Sequence, residues 1–121
     1  MDHLSRLREI CMALPEVNER LSHGSPTFFV RDKRVVATVH DHQGEDALWA
    51  PAPTGVQAQL VESEPERFFV PPYVGPSGWI GLRLDVDVDW DEIAAIVEES
   101  YRHVAPKKLI ARLDADEGPE R

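Results

Sequence analysis

The apolar residues of the N-terminal segment recur at helical spacing. They are separated by three, four and three positions, and they are Leu4, Leu7, Cys11 and Leu14. This spacing places them on one side of a helix, and Pro15 ends the pattern because a proline ring does not fit inside a helix. A first helix is therefore predicted over residues 2–14.

The next hydrophobic runs have the composition of strands. Residues 27–31 and 34–40 are rich in β-branched and aromatic side chains, and the dipeptide Asp32-Lys33 between them has the length of a hairpin turn. A polar stretch then leads into a short run at 47–50. These patterns predict three consecutive antiparallel strands.

The second half of the chain combines both periodicities. A capping-box pattern at Thr54 predicts a short helix through residue 62, and Asp89 is the expected cap of a longer one. The remaining predicted elements are strands at 67–70 and 79–86, a helix at 90–103 and a last helix from Pro106 to Leu113.

Together these elements predict the fold class. Their order is α-β-β-β-α-β-β-α-α, which indicates an α+β protein with a single antiparallel sheet and helices packed on one face. One domain is predicted over residues 1–113, followed by a frayed polar tail at residues 114–121.

Alternation along the strands predicts which side chains face the helices. In the strand at 79–86 the core side is assigned to Ile80, Leu82, Leu84 and Val86, and the opposite side to Trp79, Gly81, Arg83 and Asp85. In the first hairpin the core side is assigned to Val35, Ala37 and Val39, and the opposite side to Arg34, Val36, Thr38 and His40. Trp49 and Phe68-Phe69 are expected to be core side chains. The face away from the helices is therefore expected to present aromatic and basic groups suited to stacking and phosphate contact.

The charge of the chain limits its partners. Its 121 residues carry a net charge of −9, whereas residues 1–34 carry six basic and five acidic side chains. Any basic surface must therefore be local, because binding to a polyanion depends on lysine and arginine. No segment has the length and apolarity of a membrane span and the N-terminus has no signal-peptide pattern, so we expect a cytoplasmic protein without a membrane partner.

His23 is the most prominent candidate for catalysis, because histidine titrates near neutral pH. Ser22 and Glu19 are its neighbours in sequence only, and no triad can be deduced from that adjacency. The turn-forming residues around His23 favour a structural role, with the imidazole capping a backbone group.

The sequence predicts no metal, no disulfide and no cofactor. His40 and His42 lie in a polar loop without the spacing of a zinc site, and the acidic run at 85–92 lacks the pattern of a calcium-binding loop. Cys11 is the single cysteine and lies at a core position.

Several short motifs occur in the order and spacing of a known family. They are Ala13-Leu14-Pro15-Glu16, Ser22-His23-Gly24-Ser25-Pro26-Thr27-Phe28, the Trp79 strand with Leu82 and Leu84, and Ser100-Tyr101-Arg102. Together they resemble the MmcQ/YjbR family over residues 2–113. The resemblance implies a frataxin-like sheet with flanking helices, a double-wing arrangement and, by fold analogy, DNA binding.

The leading functional hypothesis is a non-enzymatic protein that binds DNA weakly through the first hairpin and the open face of the sheet. The residues expected to bind DNA are Arg31, Lys33, Arg34, Trp79 and Arg83. A second motif, structural or functional, comprises His23, Pro26 and Thr27. Two alternatives stay open: an acidic protein-interaction or chaperone-like module, and an enzyme centred on His23.

Overall fold

The computed structural model describes residues 3–42, 45–84 and 87–116. Its helices are α1 (His3–Met12), α2 (Val56–Ser63), α3 (Trp90–Val104) and α4 (Lys107–Asp116). Its strands are β1 (Val17–Ser22), β2 (Ser25–Val30), β3 (Arg34–His42), β4 (Glu45–Ala50), β5 (Phe68–Phe69) and β6 (Ile80–Arg83), and one turn of 3₁₀ helix lies at Gly75–Ser77. All strand pairs are antiparallel, in the order β1-β2-β3-β4-β6-β5.

The α+β class, the single antiparallel sheet and the order of the predicted elements are confirmed. The structure adds one strand, β1, which the hydrophobic pattern did not predict. It lies at an edge of the sheet, where its largely polar residues are partly exposed and two of them form ion pairs. These pairs join Arg8 to Glu19 and Arg20 to Asp32, each at 2.6 Å.

Several element ends differ from their predicted positions. Helix α4 continues to Asp116, beyond the expected start of the tail at residue 114, and residues 117–121 lie outside the described part of the chain. Gly55, rather than Thr54, occupies the N-cap position of α2, with a φ of 92° that favours glycine. The cap predicted for α3 is confirmed, since the Asp89 carboxylate accepts hydrogen bonds from the Asp91 and Glu92 amides.

The turn predicted around His23 connects β1 to β2. His23 and Gly24 have φ values of 52° and 80°, and Ser22 pairs with Ser25 on either side of them. Two central residues with positive φ make the tight turn whose twist matches antiparallel strands. The turn makes Pro26 and Thr27 the second and third residues of β2, opposite Leu21 and Arg20.

The four helices cover one face of the sheet, where the core lies. Helix α3 contributes Ile93, Val97, Tyr101 and Val104, all of them buried. The sheet contributes a larger apolar set, which comprises Phe28, Val30, Val36, Ala37, Val39, Leu48, Ala50, Phe68, Ile80, Leu82 and Leu84. Burial of this set against the helices is the main stabilising contribution to the fold.

A β-bulge in β3 changes the alternation between the two faces. Phe28 pairs with Ala37 and Phe29 pairs with Val35, so Val36 has no partner in the register. The carbonyl oxygen of Val36 instead accepts a hydrogen bond of 2.6 Å from the buried Ser100 hydroxyl on α3.

The bulge overturns part of the expected face assignment. Val36 was expected on the face away from the helices, but it is fully buried in the core cluster. Val35 was expected in the core, but it is only half-buried and lines a cavity on the opposite face. The physical reason is that one extra residue reverses the side of every residue that precedes it in the strand. The expected side of Arg34 is therefore wrong as well, since Arg34 pairs with the core residue Val30.

We predict that Ser100→Ala lowers the free energy of unfolding by about 1–3 kcal/mol, because it leaves the Val36 carbonyl buried without a donor. Chemical denaturation would measure the change. Ser77→Ala, at an exposed position, is the control and should leave stability within about 0.5 kcal/mol of the parent. A Ser100 variant as stable as the Ser77 variant would contradict this role of the hydroxyl.

Candidate functional site

The face of the sheet away from the helices carries a row of paired residues. Across five strands the register aligns Thr27, Thr38, Trp49, Gly81 and Phe69. Paired residues share a face, so these side chains are neighbours although they are distant in sequence.

Gly81 is required in this row because the ring of Phe69 lies over it. A Cβ atom at residue 81 would lie 2.5 Å from two carbons of that ring. The glycine therefore allows Phe69 to pack flat on the sheet with Ala47, Trp49 and Trp79. Trp49 and Phe69 are buried as expected, but in this second cluster and not in the helix-side core.

Beside this cluster lies a cavity of about 640 Å³, which we call the ring cavity. Its aromatic walls are Trp49, Tyr73 and Trp79. Its polar groups are Ser22, His23, Thr27, Thr38 and His40, and its aliphatic walls are Val35 and Val74. Apolar walls with a few polar groups are typical of small-molecule sites.

Tyr73 stands at the mouth of the ring cavity in an unusual conformation. Its side chain is 94% exposed, and its backbone φ is 67°. A positive φ is uncommon for a residue with a bulky side chain, and such residues occur at functional sites more often than elsewhere.

Three polar groups of the ring cavity make side-chain hydrogen bonds. The hydroxyl oxygens of Thr27 and Thr38 are 2.9 Å apart, and the Ser25 hydroxyl lies 3.1 Å from Nδ1 of His40. The His40 imidazole stacks on Trp49, with ring centroids 4.0 Å apart. Burial, and then the charge of His23, lower the pKa of His40 from its ordinary value.

Trp49 has a polar atom without a partner. Its Nε1 is buried, and no hydrogen-bond acceptor for it is found in the described part of the chain. An indole N–H can only donate, and leaving it buried and unpaired costs about 1–3 kcal/mol. A water or a ligand can accept a hydrogen bond from such a donor, and the residue Trp49 also lines the ring cavity.

A second, smaller cleft of about 300 Å³ lies on the other side of Trp79, and we call it the cationic cleft. Arg34, Ser77 and His103 supply its polar groups, and it shares Val35 and Trp79 with the ring cavity. No carboxylate is among its described lining residues.

The structure brings together only some of the residues expected to bind DNA. Arg34 and Trp79 meet in the cationic cleft, with Lys33 exposed in the adjacent turn. The Arg31 guanidinium instead donates to the Glu16 carboxylate at 3.1 Å. Arg83 donates to the carbonyl oxygen of Glu66 at 3.2 Å and lies over the Phe69 ring.

The second predicted motif also lies partly at the site. His23 and Thr27 line the ring cavity. His23 was expected to be a buried cap, but its side chain is exposed at the turn, and among the described residues it makes no side-chain hydrogen bond to the backbone. Thr27 is the member of the motif that is buried and hydrogen-bonded.

Trp49 and Tyr73 were not identified as site residues from the sequence, whereas alternation had placed Thr38 on the open face. Strand register, which a local pattern does not specify, brings Thr38 and Trp49 together. The alternation of Trp49 with the core residues Leu48 and Ala50 could have placed it on the open face. Tyr73 lies in a proline-rich loop, and no sequence signal marks it.

Neither a group of metal ligands nor a helix that could span a membrane is found among the described residues. Within the described ranges, no three histidine, cysteine or carboxylate side chains are grouped to hold a metal ion. The side chain of His42 and residues 85–86 of the acidic run, which were weighed as metal ligands from the sequence, lie outside the described part of the chain. No described helix combines the length and apolarity needed to cross a membrane.

Comparison with known proteins identifies the family. The YjbR family model matches residues 12–103. The chain belongs to the YjbR family. Its fold is similar to the crystal structure of Deinococcus radiodurans protein DR2400, which has a DUF419 domain, with a TM-score of 0.74 and 18% sequence identity. The match covers 89% of this chain and 82% of that one. No curated protein sequence matches this chain.

We predict that His23→Ala raises the pKa of His40 towards its ordinary value, because it removes the nearby charge while burial still opposes protonation. NMR titration of the imidazole protons would measure the shift. His103→Ala is the control, and it should leave the pKa of His40 unchanged. An equal shift in both variants would contradict a direct effect of His23.

The sign of the corresponding stability effect follows from the lowered pKa. Above the ordinary pKa, His40 is neutral in the folded and unfolded chains and contributes no pH dependence. As the pH falls through the interval between the ordinary and the lowered pKa, the unfolded chain binds more protons, and folding stability decreases.

Proposed function

We propose that this YjbR-family protein is a non-enzymatic binding protein whose ligand places a planar ring in the ring cavity. The observation that carries the proposal is the buried, unpaired Nε1 of Trp49, a residue that lines a cavity with three aromatic side chains and five polar ones. A ligand with a hydrogen-bond acceptor would satisfy this donor, and its ring would replace water against Trp79 and Tyr73.

The arrangement of the histidines favours binding over catalysis. Ser25 and His40 have the distance of a nucleophile and its base, at 3.1 Å. His40, however, stacks flat on Trp49, and in the described part of the chain no carboxylate is hydrogen-bonded to its ring to orient it. An enzyme centred on His23 has less support still, because that imidazole is exposed at a turn.

DNA binding, which the family resemblance implies, is the second candidate. The shared position of Arg34 and Trp79 in the cationic cleft favours it, because a cation and an aromatic ring together can hold a phosphate and a stacked base. Arg31 is paired with Glu16 and Arg83 with backbone carbonyls, which leaves fewer cations for phosphates than the sequence suggested.

For ring binding, we predict that Tyr73→Ala weakens the affinity for small aromatic compounds by about fivefold or more, because stacking on one ring is worth about 1–3 kcal/mol. NMR titration, followed through the indole N–H signals of Trp49 and Trp79, would measure the affinity. Tyr73→Phe keeps the ring and should bind like the parent protein.

Because Tyr73 is almost fully exposed, its loss should not disturb folding. Leu21→Ala, another exposed apolar position, is a second control and should leave ring binding unchanged. If none of a broad set of aromatic compounds shifts either indole signal of the parent protein, the proposed function is wrong.

For DNA, we predict weak binding with a shallow salt dependence. If Lys33 and Arg34 each neutralise one phosphate of a single strand, the logarithm of the affinity should fall with the logarithm of salt concentration at a slope of about −1.4. Gel retardation or fluorescence anisotropy at several salt concentrations would measure it. Replacing both residues by Gln should abolish binding, whereas Arg31→Gln should change it little. No retardation at low salt and high micromolar concentration would exclude this candidate.

A further inference from the structure

The ring cavity and the cationic cleft are two parts of one continuous surface. Trp79 and Val35 line both, so the two parts adjoin at these side chains. The larger part, of about 640 Å³, has aromatic walls, and the smaller part, of about 300 Å³, has a guanidinium and an imidazole.

Arg34 is exceptional among the arginines that the structure describes. Six of the other arginines form ion pairs with carboxylates, and they are Arg8, Arg20, Arg31, Arg67, Arg102 and Arg112. Arg6 lies over the Trp90 ring, and Arg83 donates to backbone carbonyls. Arg34 alone in the described ranges has neither an acid nor a ring nor a carbonyl as partner, although the chain has a net charge of −9.

An unpaired arginine in so acidic a protein is suited to an anion that comes from outside. The guanidinium can hold two oxygens of a phosphate or carboxylate at once, and Ser77 and His103 add further donors in the same cleft. The C-terminal end of α3, where His103 lies, carries a partial negative charge that opposes an anion. Binding there should therefore depend on Arg34.

The two parts are adjacent because Val35 and Trp79 line both of them, although the side chains of Arg34 and Val35 leave β3 on opposite sides. A short linker that passes these two shared side chains joins a group in one part to a group in the other. The cleft includes Val104 at the end of α3, so the anion would lie beyond the end of the sheet while the ring lies over its open face.

From this juxtaposition we infer that the ligand consists of a planar ring joined through a short linker to an acidic group, such as a phosphate. The ring occupies the cavity between Trp49, Tyr73 and Trp79, and the acidic group binds Arg34 in the cationic cleft. The inference rests on the proposed function, because it assigns the second half of a ligand whose ring that proposal places.

Matched probes separate the two contributions. The probes are 1-naphthol, 1-naphthyl phosphate and inorganic phosphate, each titrated into the full chain by NMR and calorimetry. We expect naphthyl phosphate to bind about tenfold or more tightly than naphthol, because a hydrogen-bonded charge pair adds to the ring contact. Inorganic phosphate should bind more weakly than naphthyl phosphate, because it lacks the ring.

The matched variants are Arg34→Gln and Lys108→Gln. Arg34→Gln should remove the advantage of naphthyl phosphate over naphthol and leave the affinity for naphthol unchanged. Lys108→Gln removes one positive charge at an exposed position that does not line the cleft, and it should preserve the advantage. Both residues are exposed, so both variants should fold, and their amide spectra would verify it.

The outcomes distinguish this inference from the proposed function. If naphthol binds in the ring cavity and naphthyl phosphate binds no better, the inference is wrong and the proposed function stands. If the advantage survives in Arg34→Gln, the assignment of the anion to the cationic cleft is wrong. If neither compound shifts the Trp49 or Trp79 signals, both fail together.

Adenosine 5′-monophosphate and a ten-residue deoxyadenosine strand then identify the source of the ring and the acidic group. Both carry the same ring and phosphate chemistry. Equal affinity per site would support a free small molecule as the ligand, because the strand then gains nothing from its further phosphates. Much tighter binding of the strand, abolished by Arg34→Gln, would support a nucleotide within single-stranded DNA.

Discussion

The bulge at Val36, and the Ser100 hydroxyl that satisfies it, determine which side chains can meet on each side of the sheet. The carbonyl of an unpaired strand residue cannot be buried without a donor, and α3 supplies one at 2.6 Å. The same hydrogen bond joins α3 to β3. The packing of the buried side of α3 and the bulge at Val36 therefore depend on each other. On the opposite face the bulge turns Val35 into the ring cavity.

The two faces of the sheet differ in how they are closed. Four helices seal one face with a continuous apolar core, whereas the other is covered in part by the segment between β5 and β6. Gly81 leaves room for the Phe69 ring at the start of that segment. The segment also contains Tyr73 and Trp79, which line the ring cavity. The ring cavity remains on this face because the segment covers only part of the sheet.

The acidic balance of the chain does not prevent a local anion site. Most of its arginines are paired with acids of their own chain, which leaves their charge neutralised at the surface. Surface pairs of this kind contribute little to stability, so their main effect is on the electrostatic potential that a ligand meets. Against this background, one guanidinium without a described partner in a cleft that an indole ring also lines is a specific feature.

The sequence by itself determined the fold class, most of the helices and strands, and the turn at His23-Gly24. Those features depend on local periodicity and turn chemistry, which neighbouring residues specify. It did not reveal β1, whose polar residues are held at a sheet edge by pairing with β2 and by ion pairs.

Only the tertiary structure decided which residues form the site. Thr38, Trp49 and Tyr73 come from three separate segments, and strand register and loop packing bring them together. The structure also assigned Arg31 to Glu16 and left Arg34 free of a partner in the described chain, a distinction invisible in a run of basic residues. The physical reason is that one bulge residue reverses the alternation on which strand prediction depends, and that charge pairing is set by contacts across distant segments.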